Sequence, residues 1–167
     1  MTTKMETAVT TQIYQVFIKA TPEAIWEAIT SPEWTERYGY KARSEYDLQP
    51  GGAYRVLSTP PMIARGASDV LIDGEVIEAD PPRRLVQTWR ALWSPELVDE
   101  GFTRVTWETQ EERGGVTRLT VTHELEGAPV HAEQVLGLAP VGQGGGGWSW
   151  ILSDLKTLLE SGKTLED

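Results

Sequence analysis

The sequence predicts an α+β fold: a curved, seven-stranded antiparallel sheet, two short helices after the first strand, and one long C-terminal helix. The long helix is indicated by Trp148–Leu159, where apolar side chains recur at the i, i+3, i+4 spacing of one helical face. The sheet is indicated by seven runs rich in β-branched and aromatic residues, separated by turn signals. Because most of the preceding chain favours strands, the apolar helix face should be buried against the sheet.

The first strand is predicted over Gln12–Ala20, and two short helices should follow it directly. Thr21-Pro22-Glu23 combines a capping hydroxyl, a proline suited to the first helical position and an acid that complements the helix dipole. Ser31-Pro32-Glu33 repeats this signal. Residues 1–11 are predicted to form a flexible N-terminal arm, and residues 12–167 a single domain.

The remaining six strands are predicted over Ala42–Leu48, Ala53–Ser58, Ser68–Ala79, Arg84–Leu92, Thr103–Glu111 and Val116–Leu125. The connections between them are short, which implies antiparallel neighbours. Glu126–Gly147 breaks this pattern with a long stretch that contains glycine and proline. Such a stretch indicates either a lid over a cavity, with Gly142–Gly147 as its hinge, or a disordered connector.

The composition excludes several classes of function. A net charge of −10 argues against nucleic acid and anionic membranes as partners. The chain has no cysteine, so thiol chemistry and disulfides are excluded. Its histidines, His123 and His131, lack metal-binding spacing, and neither a metal nor a cofactor is expected. With no signal peptide and no run near ~18 apolar residues, the sequence predicts a cytoplasmic protein without membrane insertion.

His123 is the best candidate for a catalytic residue. Within Val116–Leu125, the side chains of Leu119, Val121 and His123 share one strand face, so the imidazole should point toward the space between sheet and helix. Two interpretations stay open. His123 could act as a general acid or base, or it could be a buried histidine whose ring nitrogens meet tyrosine or backbone groups.

Strand parity also gathers aromatic side chains on the inward faces. Trp89 and Trp107 face inward from their strands, and Trp148 lies on the inner stripe of the helix. Such indoles are typical either of core packing or of a hollow that holds a flat or apolar molecule. The predicted ligand-binding residues are Tyr38, Tyr54, Trp89, Trp107, His123, Trp148, Ile151, Leu152 and Leu155.

The order of elements resembles the helix-grip fold of the START-like (SRPBCC) superfamily. The resemblance spans about residues 12–160 and is carried by TPEAIWEAITSPEWTERY, GEVIEADPPRRLVQTW, VTRLTVTH and GWSWILSDLKTLL. With these segments the sequence is similar to the subgroup named for activators of heat-shock protein 90 ATPase. The resemblance implies a hollow between the sheet and the C-terminal helix, in which relatives bind lipids, polyketides or hormones.

Three functions are therefore open. The first is binding of a small apolar or aromatic molecule in that hollow. The second is a polyketide cyclase or aromatase-like enzyme that uses His123 and a tyrosine. The third is a chaperone ATPase-activating partner, which is less favoured because the co-chaperones it resembles carry a separate domain ahead of this one. Partly exposed Trp93 and Trp150 would suit a lid or a homodimer contact.

Two substitutions test the predicted burial. His123→Ala is expected to leave folding intact. Leu155→Ala should cost ~2–5 kcal/mol, the usual range for a truncated core leucine.

Overall fold

The computed structural model describes residues 10–143 and 145–167, and its seven strands form one antiparallel sheet. The strands are β1 (Thr11–Ile18), β2 (Arg43–Tyr46), β3 (Ala53–Leu57), β4 (Val70–Asp80), β5 (Arg84–Ala91), β6 (Thr103–Glu111) and β7 (Thr117–Glu124). Across the sheet they lie in the order β1-β7-β6-β5-β4-β3-β2, so β2 to β7 form a meander and β1 pairs with the last strand.

Six α-helices accompany the sheet in the described ranges: α1 (Pro22–Thr30), α2 (Pro32–Thr35), α3 (Pro60–Ala64), α4 (Pro95–Glu100), α5 (Pro129–Val135) and α6 (Gly147–Ser161). The predicted fold class is confirmed, with two short helices after β1 and a long helix at the end. Helices α3, α4 and α5 were not predicted. Each begins with proline, and Thr59 and Ser94 cap α3 and α4 through their side chains. The signal that predicted α1 was therefore also present at α3 and α4.

The start of the sheet lies slightly earlier than predicted. The predicted flexible arm falls mostly on residues 1–9, which lie outside the described residues. Thr11 already belongs to β1, and the carbonyl of Thr10 accepts a hydrogen bond from the backbone N–H of Leu125 at 2.6 Å. Thr11 therefore belongs to the sheet, and Thr10 is held just before it by a backbone hydrogen bond.

Helix α6 packs beside β1 and satisfies part of that strand's outer edge. The ammonium of Lys156 donates to the carbonyl of Phe17 at 2.7 Å, and the Glu160 carboxylate accepts from the backbone N–H of Lys19 at 2.7 Å. An open strand edge presents unpaired backbone groups that invite association with other chains. These two side chains therefore protect the edge and hold the C-terminal half of α6 close to the sheet.

The buried face of α6 includes one charged residue outside the apolar pattern that predicted the helix. Trp148, Leu152, Leu155 and Leu158 are buried as predicted, but Asp154 is also fully buried. Its two carboxylate oxygens accept hydrogen bonds from the backbone N–H groups of Gly39 at 2.8 Å and Leu165 at 2.7 Å. The carboxylate is buried because it ties α6 to two distant backbone segments.

The glycine-rich segment before α6 has a packing role. The predicted hinge includes Gly144, which lies outside the described residues. A Cβ atom on Gly145 would lie 2.0 Å from the carbonyl oxygen of Ala139, and one on Gly147 would lie 2.2 Å from that of Val135. Only glycine allows backbones to approach so closely. These two glycines thus allow the start of α6 to pack against the end of α5 and the chain that follows it.

Candidate functional site

A cavity of about 480 Å³ lies between the middle of the sheet, α3 and the first turn of α6. This volume falls within the range of ligand pockets in proteins. Eight aromatic side chains contribute to its wall: Tyr38, Tyr40, Tyr46, Tyr54, Trp89, Trp93, Trp107 and Trp148. Aliphatic and thioether side chains fill much of the remainder, among them Ile29, Ala42, Val56, Met62, Leu71, Ile72, Val135 and Ile151.

The cavity brings together six of the nine residues predicted to bind a ligand. These six are Tyr38, Tyr54, Trp89, Trp107, Trp148 and Ile151. His123, Leu152 and Leu155 do not line it, and their expected placement at its surface is corrected. The space between the sheet and α6 is open at the first turn of the helix. Beyond that turn, α6 lies against β1. Leu155 is accordingly 0% exposed.

His123 belongs to a closed chain of hydrogen bonds that we call the histidine cluster (His123, Thr103 and Trp148). The indole Nε1–H of Trp148 donates to His123 Nδ1 at 3.1 Å, which leaves the ring proton on Nε2. Nε2–H then donates to Thr103 Oγ1 at 2.7 Å, and this hydroxyl donates to the carbonyl of Trp89 at 2.7 Å. Both ring nitrogens are therefore occupied.

The electrostatic environment keeps this imidazole neutral. Burial, and to a smaller extent the nearby His131, lower the pKa of His123 to about 3. A proton on Nδ1 would also face the donor N–H of Trp148. This geometry matches the second interpretation, a buried histidine whose ring nitrogens are both hydrogen-bonded. The partners are a threonine and a tryptophan, where tyrosine or backbone groups were expected. The ring orients Trp148, whose indole forms part of the cavity wall.

A second polar group is the glutamine cluster (Gln87, Tyr46, Tyr54 and Trp107); its two tyrosines and its tryptophan line the cavity, and Gln87 lies behind them. Gln87 is fully buried, and its Oε1 accepts from Tyr46 Oη at 2.7 Å and from Trp107 Nε1 at 3.1 Å. Its amide nitrogen Nε2 has no hydrogen-bond partner within the described chain. The rings of Tyr46 and Tyr54 lie 4.6 Å apart between their centroids. Gln87 alternates with Trp89 on β5, so the strand parity that places Trp89 inward also places Gln87 there, although Gln87 was not predicted as a site residue.

The charged side chains at the cavity are both cationic. Lys41 and Arg65 contribute to the lining, and no carboxylate does so among the described residues. Lys41 also pairs with Glu166 at 3.6 Å, and both side chains are well exposed. Arg65 ends α3 and is exposed. The mouth is thus locally positive on a chain whose net charge is −10.

The second histidine links secondary structure elements outside the cavity. His131 lies on α5, is fully buried, and its Nδ1–H donates to Glu100 Oε1 at 2.8 Å. Its Nε2 accepts from the backbone N–H of Ala91 at 3.0 Å. Burial raises the pKa of Glu100, but hydrogen bonds from the backbone of Val130 and His131 and from the imidazole outweigh it and lower that pKa. This pair joins α4, α5 and β5.

The sheet, the two short helices and the long terminal helix define a START-like protein of the helix-grip class. A family model for Activator of Hsp90 ATPase homolog 1-like protein matches residues 19–160. The chain belongs to this family, as the resemblance implied. A search of curated proteins finds no significant match.

Solved structures share the fold at low sequence identity. MLL2253 from Mesorhizobium loti is 20% identical, with a TM-score of 0.66 over 90% of this chain and 96% of the other. DynU16, from the dynemicin biosynthetic locus, is 24% identical with a TM-score of 0.66 over 93% of this chain and 49% of its own. PFC0360w, an HSP90 activator from Plasmodium falciparum, is 22% identical with a TM-score of 0.53 over 70% and 73%.

The described ranges, 10–143 and 145–167, contain no helix with the length and apolarity needed to cross a membrane.

Proposed function

We propose that the protein binds a small apolar or aromatic molecule in the cavity between the sheet and the first turn of α6. The observation that carries this proposal is the aromatic wall, to which four tryptophans and four tyrosines contribute. Rings of this kind offer large apolar contact areas at little entropic cost, and they favour flat ligands. The predicted homodimer and cytoplasmic location stay predictions.

The arrangement of the rings supports this proposal beyond their number. Trp107 and Trp148 meet edge to face, with centroids 5.3 Å apart, and Trp89 lies 6.3 Å from Trp148. The histidine cluster fixes the Trp148 indole from behind. A wall whose side chains are already held in place loses little conformational freedom when a ligand binds.

The proposal is tested by titrating the protein with N-phenyl-1-naphthylamine, a neutral aromatic probe whose fluorescence rises in an apolar site. Ala42→Phe should fill part of the cavity, since Ala42 is a buried lining residue. We expect this variant to weaken probe binding at least about tenfold, which corresponds to about 1.4 kcal/mol.

Ala53→Phe provides the matched control, because it makes the same change at an exposed position of β3. The control should bind the probe like the wild type. Equal binding by all three proteins would place the probe outside the cavity and contradict the proposal. Native mass spectrometry of the protein purified from its host would then search for a retained molecule.

The enzyme alternative is weakened by the position of His123. A general base must come within hydrogen-bonding reach of the proton it removes. His123 is 0% exposed, and both of its ring nitrogens are occupied by Thr103 and Trp148. A cyclase that uses this imidazole would first have to break both hydrogen bonds.

A chaperone-activating role is a second candidate because of the family to which the chain belongs. PFC0360w, one of the structural neighbours, is described as an HSP90 activator. Measuring the ATPase rate of Hsp90 with and without this protein tests the role directly. A rate increase that survives Ala42→Phe would show that the outer surface acts independently of the cavity.

A further inference from the structure

Two cationic side chains, Lys41 and Arg65, lie at the mouth of the cavity. Lys41 follows α2, and Arg65 ends α3. Among the described residues they are the only charged members of the lining, although acidic residues outnumber basic ones 25 to 15 in the sequence. The mouth is therefore positive on a chain that is negative overall, and this arrangement favours an anionic group on the ligand.

Lys41 has an unfavourable backbone conformation. Its φ is +62°, and no other non-glycine residue of the described chain has a positive φ. This left-handed region is disfavoured by side chains with a Cβ and favours glycine. The conformation belongs to a turn in which the Lys41 N–H donates to the Tyr38 carbonyl at 2.9 Å. Glycine would fit this position better, so a lysine there indicates that its ammonium group serves a function.

The charge of Lys41 is only weakly compensated. Its carboxylate partner, Glu166, lies 3.6 Å away, and the two side chains are 41% and 54% exposed. An ion pair between such exposed groups contributes little. The carboxylate of a bound molecule could therefore replace Glu166 at the ammonium group at small cost.

The guanidinium of Arg65 has no carboxylate beside it. Within the described chain it forms neither an ion pair nor a side-chain hydrogen bond, whereas Arg55 and Arg90 pair with carboxylates at 2.7 Å and 2.8 Å. Because a guanidinium stays charged and matches the geometry of a carboxylate, Arg65 suits the recognition of an anion.

The segment that carries Arg65 is hydrogen-bonded within itself. Over residues 59–67, each hydrogen bond of the described structure joins two members of the segment, as between the Ala67 N–H and the Met62 carbonyl at 3.0 Å. No residue of α3 is buried. The segment can therefore shift over the mouth without breaking hydrogen bonds to the sheet, so the guanidinium can adjust to a bound anion.

We propose that the ligand carries an anionic group, such as a carboxylate, which is bound at the mouth by Lys41 and Arg65 while its aromatic body lies in the cavity. This inference rests on the proposed binding function and specifies the class of ligand. The apolar wall holds the flat body, and the two cations determine which end of the molecule faces solvent.

The compounds 2-naphthoate and 2-naphthamide test this proposal, because they share a skeleton and nearly the same shape but only the first is an anion at about pH 7.5. Their dissociation constants are measured by displacement of N-phenyl-1-naphthylamine from the full-length protein at low ionic strength. We expect the wild type to prefer the naphthoate about tenfold, as two ion pairs permit, and added salt should reduce this preference. The net charge of −10 alone would favour the amide.

Lys41→Gly and Arg65→Gln should each lower the preference about threefold. Lys41→Gly also relieves the left-handed backbone, so its melting temperature should equal or exceed that of the wild type. A marked fall in its melting temperature would mean that the lysine serves the fold, which contradicts the argument from its conformation. Arg113→Gln is the matched control, since it removes a charge at an exposed turn outside the cavity and should keep the wild-type preference.

Glu166→Gln provides a variant with the opposite expected effect. It removes the carboxylate that competes for Lys41 and should raise the preference for the naphthoate about twofold. An unchanged or lower preference in this variant would contradict a role of Lys41 in binding the anion.

The outcomes separate this inference from the proposed function. A preference for the naphthoate that falls in Lys41→Gly and Arg65→Gln but not in Arg113→Gln supports the inference. Equal binding of the two compounds, tighter binding of the amide, or equal falls in all three variants overturns the inference and leaves the cavity function standing. Failure of the wild type to bind either compound or the fluorescent amine overturns both.

Discussion

The histidine and glutamine clusters each include a residue of β6, yet they differ in how completely their polar atoms are satisfied. In the histidine cluster, every donor and acceptor of the imidazole is used, and the chain ends on the backbone carbonyl of Trp89. In the glutamine cluster, the amide nitrogen has no partner within the described residues. One cluster satisfies all of its polar atoms, and the other leaves a buried amide nitrogen unpaired behind the cavity wall.

This difference distinguishes a buried polar network that is fully hydrogen-bonded from one that is not. A closed polar network specifies how the surrounding side chains pack, because any rearrangement leaves a buried group unpaired. An incomplete network carries that cost in the folded protein. We therefore expect the histidine cluster to contribute more to stability than the glutamine cluster.

The largest expected effect comes from breaking the closed cluster. His123→Ala removes the partner of both Trp148 and Thr103 and opens a buried cavity, so we expect a loss of about 3–5 kcal/mol in unfolding free energy. This revises the expectation that folding would be unaffected. Gln87→Met should cost about 1–3 kcal/mol, because Tyr46 and Trp107 lose their acceptor while an unpartnered amide is removed and no large cavity is opened. Urea denaturation of both variants measures the difference, and equal losses would contradict the distinction.

A second closed polar site makes a similar prediction away from the cavity. Asp154→Ala leaves the backbone N–H groups of Gly39 and Leu165 without their acceptors, and we expect it to cost about 2–4 kcal/mol. Ser153→Ala, on the exposed side of the same helix, should stay within about 0.5 kcal/mol of the wild type. If thermal and chemical denaturation show similar values for both variants, the Asp154 carboxylate does not anchor α6.

The sequence could predict the strands and the inward faces because both depend on local patterns. Turn residues separated the strands, and parity correctly placed Trp89 and Trp107 inward. Parity does not reveal whether an inward side chain meets a helix or an open space. His123 was therefore assigned to the hollow, although α6 closes over it.

The unexpected positions depend on contacts between distant parts of the chain. Asp154 lies within a helix at a position whose sequence context indicates solvent, and its partners are 115 and 11 residues away. The partners of Gln87 come from β2 and β6. A polar residue at an inward strand position, as Gln87 is, was the available signal. The capping residues Thr59 and Ser94 could likewise have predicted α3 and α4.

The closed cluster should also make stability depend on pH. The pKa of His123 is lowered to about 3 in the fold, whereas an unfolded histidine has a pKa near 6.5. The unfolded state therefore binds the extra proton between these values, and stability falls as the pH decreases through this window. From pH 7.5 to 5.5 this residue should remove about 1.4 kcal/mol.

His123→Gln isolates that contribution, because glutamine can accept from Trp148 and donate to Thr103 but does not titrate. The variant should lose about 1.4 kcal/mol less than the wild type over the same interval, as measured by urea denaturation at each pH. Carboxylates titrate mainly below this interval and His131 is present in both proteins, so their effects cancel. Parallel pH profiles would show that His123 becomes protonated in the fold.

The smallest effect concerns the cavity mouth, where Arg65 lies beside an apolar interior. The probes 8-anilinonaphthalene-1-sulfonate and N-phenyl-1-naphthylamine share an aromatic skeleton, but only the first is an anion. An exposed ion pair contributes about 0.2–1 kcal/mol, so Arg65→Gln should weaken binding of the anionic probe up to about fivefold and change binding of the neutral probe little.

Arg113→Gln is the control, because it makes the same charge change at an exposed turn outside the cavity; it should affect binding of neither probe. Added salt should reduce the Arg65 effect, because screening acts on exposed charges. Equal responses of the two arginine variants would mean that the anion senses only the net charge of the chain.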